Sequence, residues 1–146
     1  MPRFEDIEEV RQFIRNTDKD TAIYVGCDSR QLKTHTVFVT VIVVHLSSKH
    51  GAKVFWKVEK TKKIISLRQR LMEEVSRAVY HALMILDVVE DRPFEVHLDI
   101  NPDENQASSV IVKEAVGYVL SQGLKPVLKP NAIAASCVAD HKLNTL

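Results

Sequence analysis

The alternation of apolar and polar positions divides the chain into alternating helices and strands. Apolar residues at helical spacing from Phe4 to Ile14 predict an amphipathic helix over residues 4–16. Three runs rich in β-branched residues follow, separated by short polar turns, and predict an antiparallel meander. Beyond the meander, the pattern predicts helix, strand, helix, strand and helix. The predicted strands are 22–28, 36–46, 52–59, 94–100 and 124–128, and the later helices are 66–86, 108–122 and 131–142.

Local signals mark several ends of these elements. Ser66 with Gln69 three residues later is typical of a capping box, and an apolar stripe from Leu67 to Leu86 follows it. Gly123 stands where a helix C-terminal cap is expected. Pro126 marks the fifth strand as a sheet edge. The third strand alternates with period two and is expected to be the other edge, with its lysines pointing outward.

This order of elements predicts an α/β fold class, in which a mixed five-stranded sheet is flanked by helices. Three antiparallel strands would precede the parallel strands, with an extra helix at the N-terminus. The 146 residues are expected to form a single domain, 1–146. The longest apolar run, 37–46, is too short to cross a bilayer. Cys27 and Cys137 lie in apolar surroundings and are expected to be reduced core thiols of a cytoplasmic protein.

Two carboxylates are placed at the ends of predicted strands. Asp28 ends the nearly all-apolar run that begins at Ile23, and Asp99 lies at the end of the fourth strand. If these strands are parallel neighbours, both side chains emerge at the same edge of the sheet. An acid at a strand end can instead cap the turn that follows it.

Two further carboxylates fall on predicted helix faces. At about 100° per residue, Glu74 lies on the buried side of the long helix, whereas Glu73 points toward water. Asp140 lies on the stripe of Ile133 and Cys137 in the last helix. The alternatives are a solvated Glu74 and a frayed C-terminal helix.

Four converging carboxylates cannot all stay ionised without cations between them. Oxygen ligands favour Mg²⁺ or Mn²⁺. Two such ions about 4 Å apart can activate a water and hold the leaving oxygen of a phosphodiester. The sequence therefore predicts that Asp28, Glu74, Asp99 and Asp140 are both metal ligands and catalytic residues.

Basic residues are concentrated in one segment although the net charge is only +1. Seven basic residues and one acidic residue lie between positions 53 and 70, which indicates either a phosphate-facing surface or a solvated edge. Phe55 and Trp56 lie nearby and would help to guide a nucleic-acid backbone. His97, two residues before Asp99, is interpreted as a core residue rather than a group supporting the metal site. The predicted nucleic-acid contacts are Ser29, Arg30, Lys57, Lys62, Lys63, Arg68 and Lys129.

Several motifs resemble the YkuK-type family of predicted RNase H-like proteins. They are Gly26-Cys27-Asp28-Ser29-Arg30, Ser66-Leu67-Arg68, His97-Leu98-Asp99-Ile100, and Lys129-Pro130 with Ala135-Ser136 and Ala139-Asp140. The resemblance covers the chain from about Tyr24 onward. It implies an RNase H-like fold and a metal-dependent nuclease site whose product carries a 5′ phosphate. One departure is the loop after Ile100, whose Asp103 and Glu104 are alternatives to Asp140 as the ligand that completes the metal site.

The leading hypothesis is a nuclease that cleaves RNA or an RNA/DNA hybrid by a two-metal mechanism. The rival is a catalytically inactive RNase H-like module that binds nucleic acid or protein. A third interpretation, an actin-like ATPase lobe, shares the strand-ending aspartate, but the chain lacks the length for a second lobe. The sequence leaves the oligomeric state open.

Overall fold

A computed structural model describes residues 2–47, 51–102 and 108–146, with backbone alone for 108–110. The first five elements in chain order are α1 (Ile7–Arg15), β1 (Ala22–Gln31), β2 (His35–His45), β3 (Ala52–Lys62) and α2 (Leu67–Val89). They are followed by β4 (Phe94–His97), α3 (Ser108–Ser121) and β5 (Pro126–Val127). A π-helical segment (Ala134–Ala139) then continues into α4 (Asp140–Leu143). Residues 134–143 are called the C-terminal helix below. The predicted order of elements is confirmed.

The strands form a mixed sheet in the order β3-β2-β1-β4-β5. The pairs β1–β2 and β2–β3 are antiparallel, whereas β1–β4 and β4–β5 are parallel. The predicted fold class is thereby confirmed, including the two edge strands and the adjacency of the strands that precede Asp28 and Asp99. No helix in the described ranges combines the length and apolarity that a membrane span requires.

Helices cover the two faces of the sheet and bury a different core on each side. The main core lies on the face covered by α1, α2 and α3, and includes Val25, Cys27 and Phe38. A second core includes Val39, Val41 and Trp56 and is covered by the C-terminal helix. Since neighbouring residues of a strand point to opposite faces, Asp28 lies on the second face while Cys27 lies on the first.

Two strand ends differ from the prediction. β1 does not stop at Asp28 but continues to Gln31, because β2 keeps pairing with it as far as Thr36. β4 is shorter than expected, and its last pair with β1 joins His97 to Gly26. Asp99 therefore follows the strand by two residues.

The N-terminal segment also differs from the prediction, because α1 begins at Ile7 rather than at Phe4. The side chain of Asp6 caps this helix by accepting the Glu8 backbone N–H at 2.9 Å. The residues before the cap pair with the edge strand instead: Phe4 N donates to Trp56 O at 3.0 Å. This pairing covers part of the β3 edge.

The prediction that the lysines of β3 point outward into solvent is wrong. Lys53 lies over the rings of Phe13 and Phe55, and Lys57 lies over Phe4, because α1 packs on that side of the strand. Both lysines are half-buried, so their alkyl stems cover the aromatic rings.

Three expectations about burial need correction. Leu67 and Leu86 were placed on the buried stripe of α2 but are 58% and 43% exposed, whereas Ile85 and Val89 are buried. The helix continues to Val89, which shifts its buried face toward the later residues. Cys27 is buried as expected, but Cys137 is exposed on the C-terminal helix.

Candidate functional site

The parallel pairing of β1 with β4 brings two aspartates to the same level. The last paired residues are Gly26 and His97, and Asp28 and Asp99 each follow their member of this pair by two residues. Asp28 is only 8% exposed, and the side chain of Asp99 is 20% exposed. The two negative charges repel each other, and this repulsion contributes to a raised pKa of Asp28.

Helix α2 presents Glu74 to the same edge of the sheet. Its side chain is 6% exposed, which agrees with the predicted inward orientation, while Glu73 forms an ion pair with Arg77. Ser29 connects this helix to β1: its hydroxyl donates to Glu74 Oε2 at 2.5 Å. The Ser29 backbone N–H also donates to Asp28 Oδ1 at 2.8 Å. One residue thus holds two carboxylates in place.

The C-terminal helix reaches the site because Gly26 lets it lie directly on β1. A Cβ atom at Gly26 would stand 2.6 Å from the Ala135 backbone nitrogen, closer than any real contact of this kind. Ala134, Ala135 and Ala139 are all fully buried against the sheet. The small side chains on both partners allow the close approach.

The predicted buried stripe of this helix is wrong, although its carboxylate does face the site. Ile133 is 45% exposed and Cys137 is exposed, because the π-helical turn changes the spacing from that of an α-helix. Asp140 follows the π-helical segment, and its negative charge contributes to the raised pKa of Asp28. Its Oδ2 accepts from Asn144 Nδ2 at 3.4 Å.

Burial raises the pKa values of both inner carboxyl groups. The pKa of Asp28 rises to about 7 through desolvation, and the charges of Asp99 and Asp140 add to this, while the Ser29 N–H opposes it. The pKa of Glu74 rises to about 8, again chiefly through desolvation. Near neutral pH this cluster therefore binds protons unless a cation replaces them.

Two cationic side chains approach the carboxylates. Lys129 Nζ lies 2.8 Å from Asp99 Oδ1, so the lysine predicted to contact phosphate pairs with a carboxylate. The charge of Arg70 lowers the pKa of Glu74. Arg70 is four residues before Glu74 on α2, and its buried Nε makes no hydrogen bond to any described residue.

The donor chemistry of the cluster fits a hard divalent cation. All four acidic side chains supply oxygen, as Mg²⁺ and Mn²⁺ prefer. Among the described residues, the buried Asp99 Oδ1 also accepts no hydrogen bond of normal geometry, although Lys129 Nζ lies 2.8 Å from it. Within the described ranges, no three acidic, histidine or cysteine side chains are close enough together to hold an ion. The four carboxylates therefore supply suitable oxygen ligands, but their side chains do not surround a cation position as they stand. Asp103 and Glu104 lie outside the described residues.

The other predicted nucleic-acid contacts lie in separate places. Arg30 donates to Leu143 O at 3.5 Å and to the Asn144 side chain, so it supports the C-terminal helix. Arg68 forms an ion pair with Glu114 of α3 at 2.5 Å.

The basic segment 53–70 does not form one continuous surface. Lys57 lies on the α1 side of the sheet, whereas Lys62 and Lys63 are exposed at the end of β3. Phe55 and Trp56 are only 4% and 9% exposed, so the expectation that these rings guide a nucleic-acid backbone is wrong. They are buried because each packs into one of the two cores.

His97 is a core residue, as the preferred interpretation predicted. It is 2% exposed, and its ring stacks on Tyr24 with 4.8 Å between centroids. Its Nε2 lies 3.0 Å from Glu95 Oε1, and its Nδ1 accepts the Ala134 backbone N–H at 3.1 Å. His97 thus ties the start of the C-terminal helix to β4.

Comparison with known proteins supports the fold that carries this carboxylate cluster. A sequence profile of the family described as Ribonuclease H-like matches residues 5–143. The chain belongs to the ribonuclease H-like family. That match includes all four carboxylates and every strand of the sheet.

Two individual proteins are similar to this family member. "Uncharacterized protein YkuK" of Bacillus subtilis (strain 168) is 24% identical over an alignment of 155 positions, gaps included, and the alignment covers 94% of this chain and 89% of that protein. The YkuK-type, RNase H-like family predicted from the motifs is therefore confirmed. A Thermus thermophilus RuvC structure matches at 19% identity with a TM-score of 0.31 over 73% of this chain. The chain spans 62% of that RuvC chain.

Sequence reasoning missed two features of the site in this ribonuclease H-like chain. Arg70 was counted only as part of a basic segment, although its spacing of four residues from Glu74 was a usable signal. The pairing of Lys129 with Asp99 had no local signal, because it depends on where β5 ends relative to β4.

Proposed function

We propose that this protein is a divalent-metal-dependent nuclease that hydrolyses phosphodiester bonds of RNA or of an RNA/DNA hybrid. The observation that carries the proposal is the mutual electrostatic influence of four carboxylates from separate parts of the fold. The charges of Asp99 and Asp140 raise the pKa of Asp28, and those of Asp28 and Asp99 raise the pKa of Glu74. Burying several acids together costs stability, and such a cost is typical of functional sites. Membership of the ribonuclease H-like family supports the same reaction class.

Each carboxylate has a separate role in this proposal. Asp28 and Asp99 would anchor the cations, Glu74 would complete one cation site and Asp140 the other. When bound, the two cations would supply Lewis-acid activation of the attacking water and stabilisation of the leaving 3′ oxygen. Ser29 orients Asp28 and Glu74 through its two hydrogen bonds.

Lys129 balances charge at the same edge of the sheet. Its ammonium group pairs with Asp99. A lysine in this place also offers a positive charge to the phosphate of a bound strand. When a strand binds, the Lys129 ammonium group would exchange its ion pair with Asp99 for one with the phosphate.

One observation favours a second candidate, an inactive module that binds nucleic acid or protein. The described carboxylates do not surround a common point, and hydrogen bonds or ion pairs already engage Glu74 and Asp99. A module of this kind would retain the fold without cleaving a strand. Activity in the presence of a metal distinguishes the two.

The test is cleavage of end-labelled RNA/DNA hybrid, single-stranded RNA and duplex DNA by the purified protein with Mn²⁺ or with EDTA. We expect cleavage with Mn²⁺, no cleavage in EDTA, and a rate at least about 100-fold lower for Asp28→Asn. Glu9→Gln, an exposed change on α1, is the matched control and should cleave normally. Full activity in EDTA, or in Asp28→Asn, would overturn the metal mechanism.

A further inference from the structure

A pocket of about 370 Å³ lies beside the C-terminal helix, on the same sheet face as Asp28. Its apolar lining includes Val37, Val58 and Leu143, whereas Arg30 and Lys60 are exposed at its rim. The volume falls within the range of roughly 300–1,000 Å³ that is typical of ligand sites. An apolar base with a cationic rim suits a ligand that has both an apolar body and a negative charge.

The strand register places this pocket next to the carboxylates. Asp28 is in line with Val39 and Val58, and the next row on the same face contains Arg30, Val37 and Lys60. Rows two residues apart are separated by about 7 Å. A stacked strand rises about 3.4 Å per nucleotide, so this distance corresponds to two stacked nucleotides or to fewer extended ones.

The C-terminal helix connects the two sites directly. Leu143 lies three residues after Asp140 and therefore on the same side of the helix. Asn144 accepts from Arg30 and donates to Asp140 Oδ2, which links the rim of the pocket to the acidic cluster. Arg30 and Asn144 thus lie between the pocket and Asp140.

The charge around the pocket favours an anion. A third cation, Arg3, also lines it, and none of the described side chains that line it is acidic. Lys60 forms no ion pair with a described residue, whereas Arg3 pairs with the exposed Glu5 at 3.2 Å. Arg30 is held in place by the C-terminal helix, which lowers the entropy cost of using it to bind a ligand.

We infer that this pocket binds one unpaired nucleotide of the substrate strand, next to the phosphodiester that is cleaved. Its base would lie against Val37, Val58 and Leu143, and its phosphate between Arg30 and Lys60. A base can enter such a pocket only when it is unstacked and unpaired, so the substrate class is single-stranded nucleic acid rather than a continuous duplex. This inference rests on the proposed function. Of the two substrates proposed there, it favours single-stranded RNA over the RNA/DNA hybrid, which is a duplex.

The experiment measures binding of a fluorescent eight-nucleotide single strand in EDTA, where no metal-dependent cleavage takes place. We expect Lys60→Gln to weaken binding at least about fivefold and to reduce the slope of log affinity against log salt by about one. Lys113→Gln, an exposed change on α3 across the sheet, is the control and should bind normally. A duplex of the same sequence should bind at least about fivefold more weakly than the single strand.

Two results would overturn the inference: equal binding by Lys60→Gln and Lys113→Gln, or equal binding of duplex and single strand. Lys60 is exposed, so Lys60→Gln should not change the thermal midpoint of unfolding. Measurement of that midpoint establishes that the variant is folded. Failure of the proposed function is a different result. Weaker binding by Lys60→Gln without cleavage under any metal condition supports the pocket and rejects the nuclease. Metal-dependent cleavage with an unchanged KM in Lys60→Gln supports the nuclease and rejects the pocket.

Discussion

Asp28 and Glu74 are the two residues whose surroundings differ most from those of an ordinary acid. Each is almost fully buried, and each is close to other carboxylates. The Ser29 hydrogen bonds offset only part of the desolvation, so both pKa values remain raised. Either a proton or a cation must neutralise them at neutral pH. The site is therefore sensitive to pH and to divalent metals.

The first prediction concerns stability against pH in EDTA. Asp28 and Glu74 titrate near 3.8 and 4.5 in the unfolded chain, but near 7 and 8 when folded. Between these values the folded state binds more protons, so these groups make the free energy of unfolding fall as pH rises. Burial lowers the pKa values of His81 and His97, which act in the opposite direction.

The measurement is therefore a comparison between two proteins, by urea unfolding at pH 5 and pH 8. Asp28→Asn should lose less stability than the wild type on going from pH 5 to pH 8, because one raised group is gone. Glu9→Gln should follow the wild type. Identical pH dependence of Asp28→Asn and the wild type would show that Asp28 has an ordinary pKa.

Gly26 supports the second prediction, since the backbone of the C-terminal helix occupies the space of its absent side chain. Gly26→Ala should lower the free energy of unfolding by about 1–3 kcal/mol, as overpacking does. Gly117→Ala is the matched control: the added Cβ meets nothing within 4 Å, and it should stabilise α3 by about 0.5–1 kcal/mol. Denaturant unfolding measures both. Equal stability of Gly26→Ala and the wild type would contradict the close approach.

At the scale of elements, the C-terminal helix determines whether the acidic cluster is complete. Strand β1, the segment that follows β4 and helix α2 supply three of its carboxylates, and the C-terminal helix brings the fourth. Its first turn is held by the packing on Gly26 and by the hydrogen bond from Ala134 N to His97, and its end is held by Arg30. Its π-helical part ends where Asp140 begins, and such segments often occur at functional sites.

The third prediction concerns His97 as the support of this helix. His97→Phe keeps an aromatic ring but removes the acceptor of the Ala134 N–H, which should cost about 1–3 kcal/mol. Hydrogen exchange of residues 134–140 should become faster than in the wild type. His45→Phe, an exposed position near the same Tyr24, is the control and should leave exchange unchanged. Unaltered protection in His97→Phe would mean that the helix is held by packing alone.

At the scale of the whole molecule, local periodicity predicted the order of the elements and part of their buried faces, while it misplaced Leu67, Leu86 and Ile133. The strands and helices, the edge position of Pro126 and the inward orientation of Glu74 follow from spacing along one element. The prediction that Asp28 and Asp99 lie at the same edge of the sheet required only one additional rule, that the two strands are parallel neighbours.

Features that depend on contacts between distant segments were not predictable in this way. Cys137 is exposed because a π-helical turn replaces an α-helical one, and no residue pattern signals that change. Lys53 and Lys57 look like solvent-facing residues until α1 covers them. Lys129 reaches Asp99 because β5 ends beside β4.

The most direct test of the central claim is a calorimetric titration of the metal-free protein with Mn²⁺ near pH 8. The wild type should bind Mn²⁺ and show a higher thermal midpoint when the ion is present, since ligands of the folded state stabilise it. Asp28→Asn and Asp99→Asn should lose this binding while remaining folded, and Glu9→Gln should retain it. Equal Mn²⁺ binding by the wild type and Asp28→Asn, or no binding by the wild type, would contradict a cation-holding cluster of Asp28, Glu74, Asp99 and Asp140.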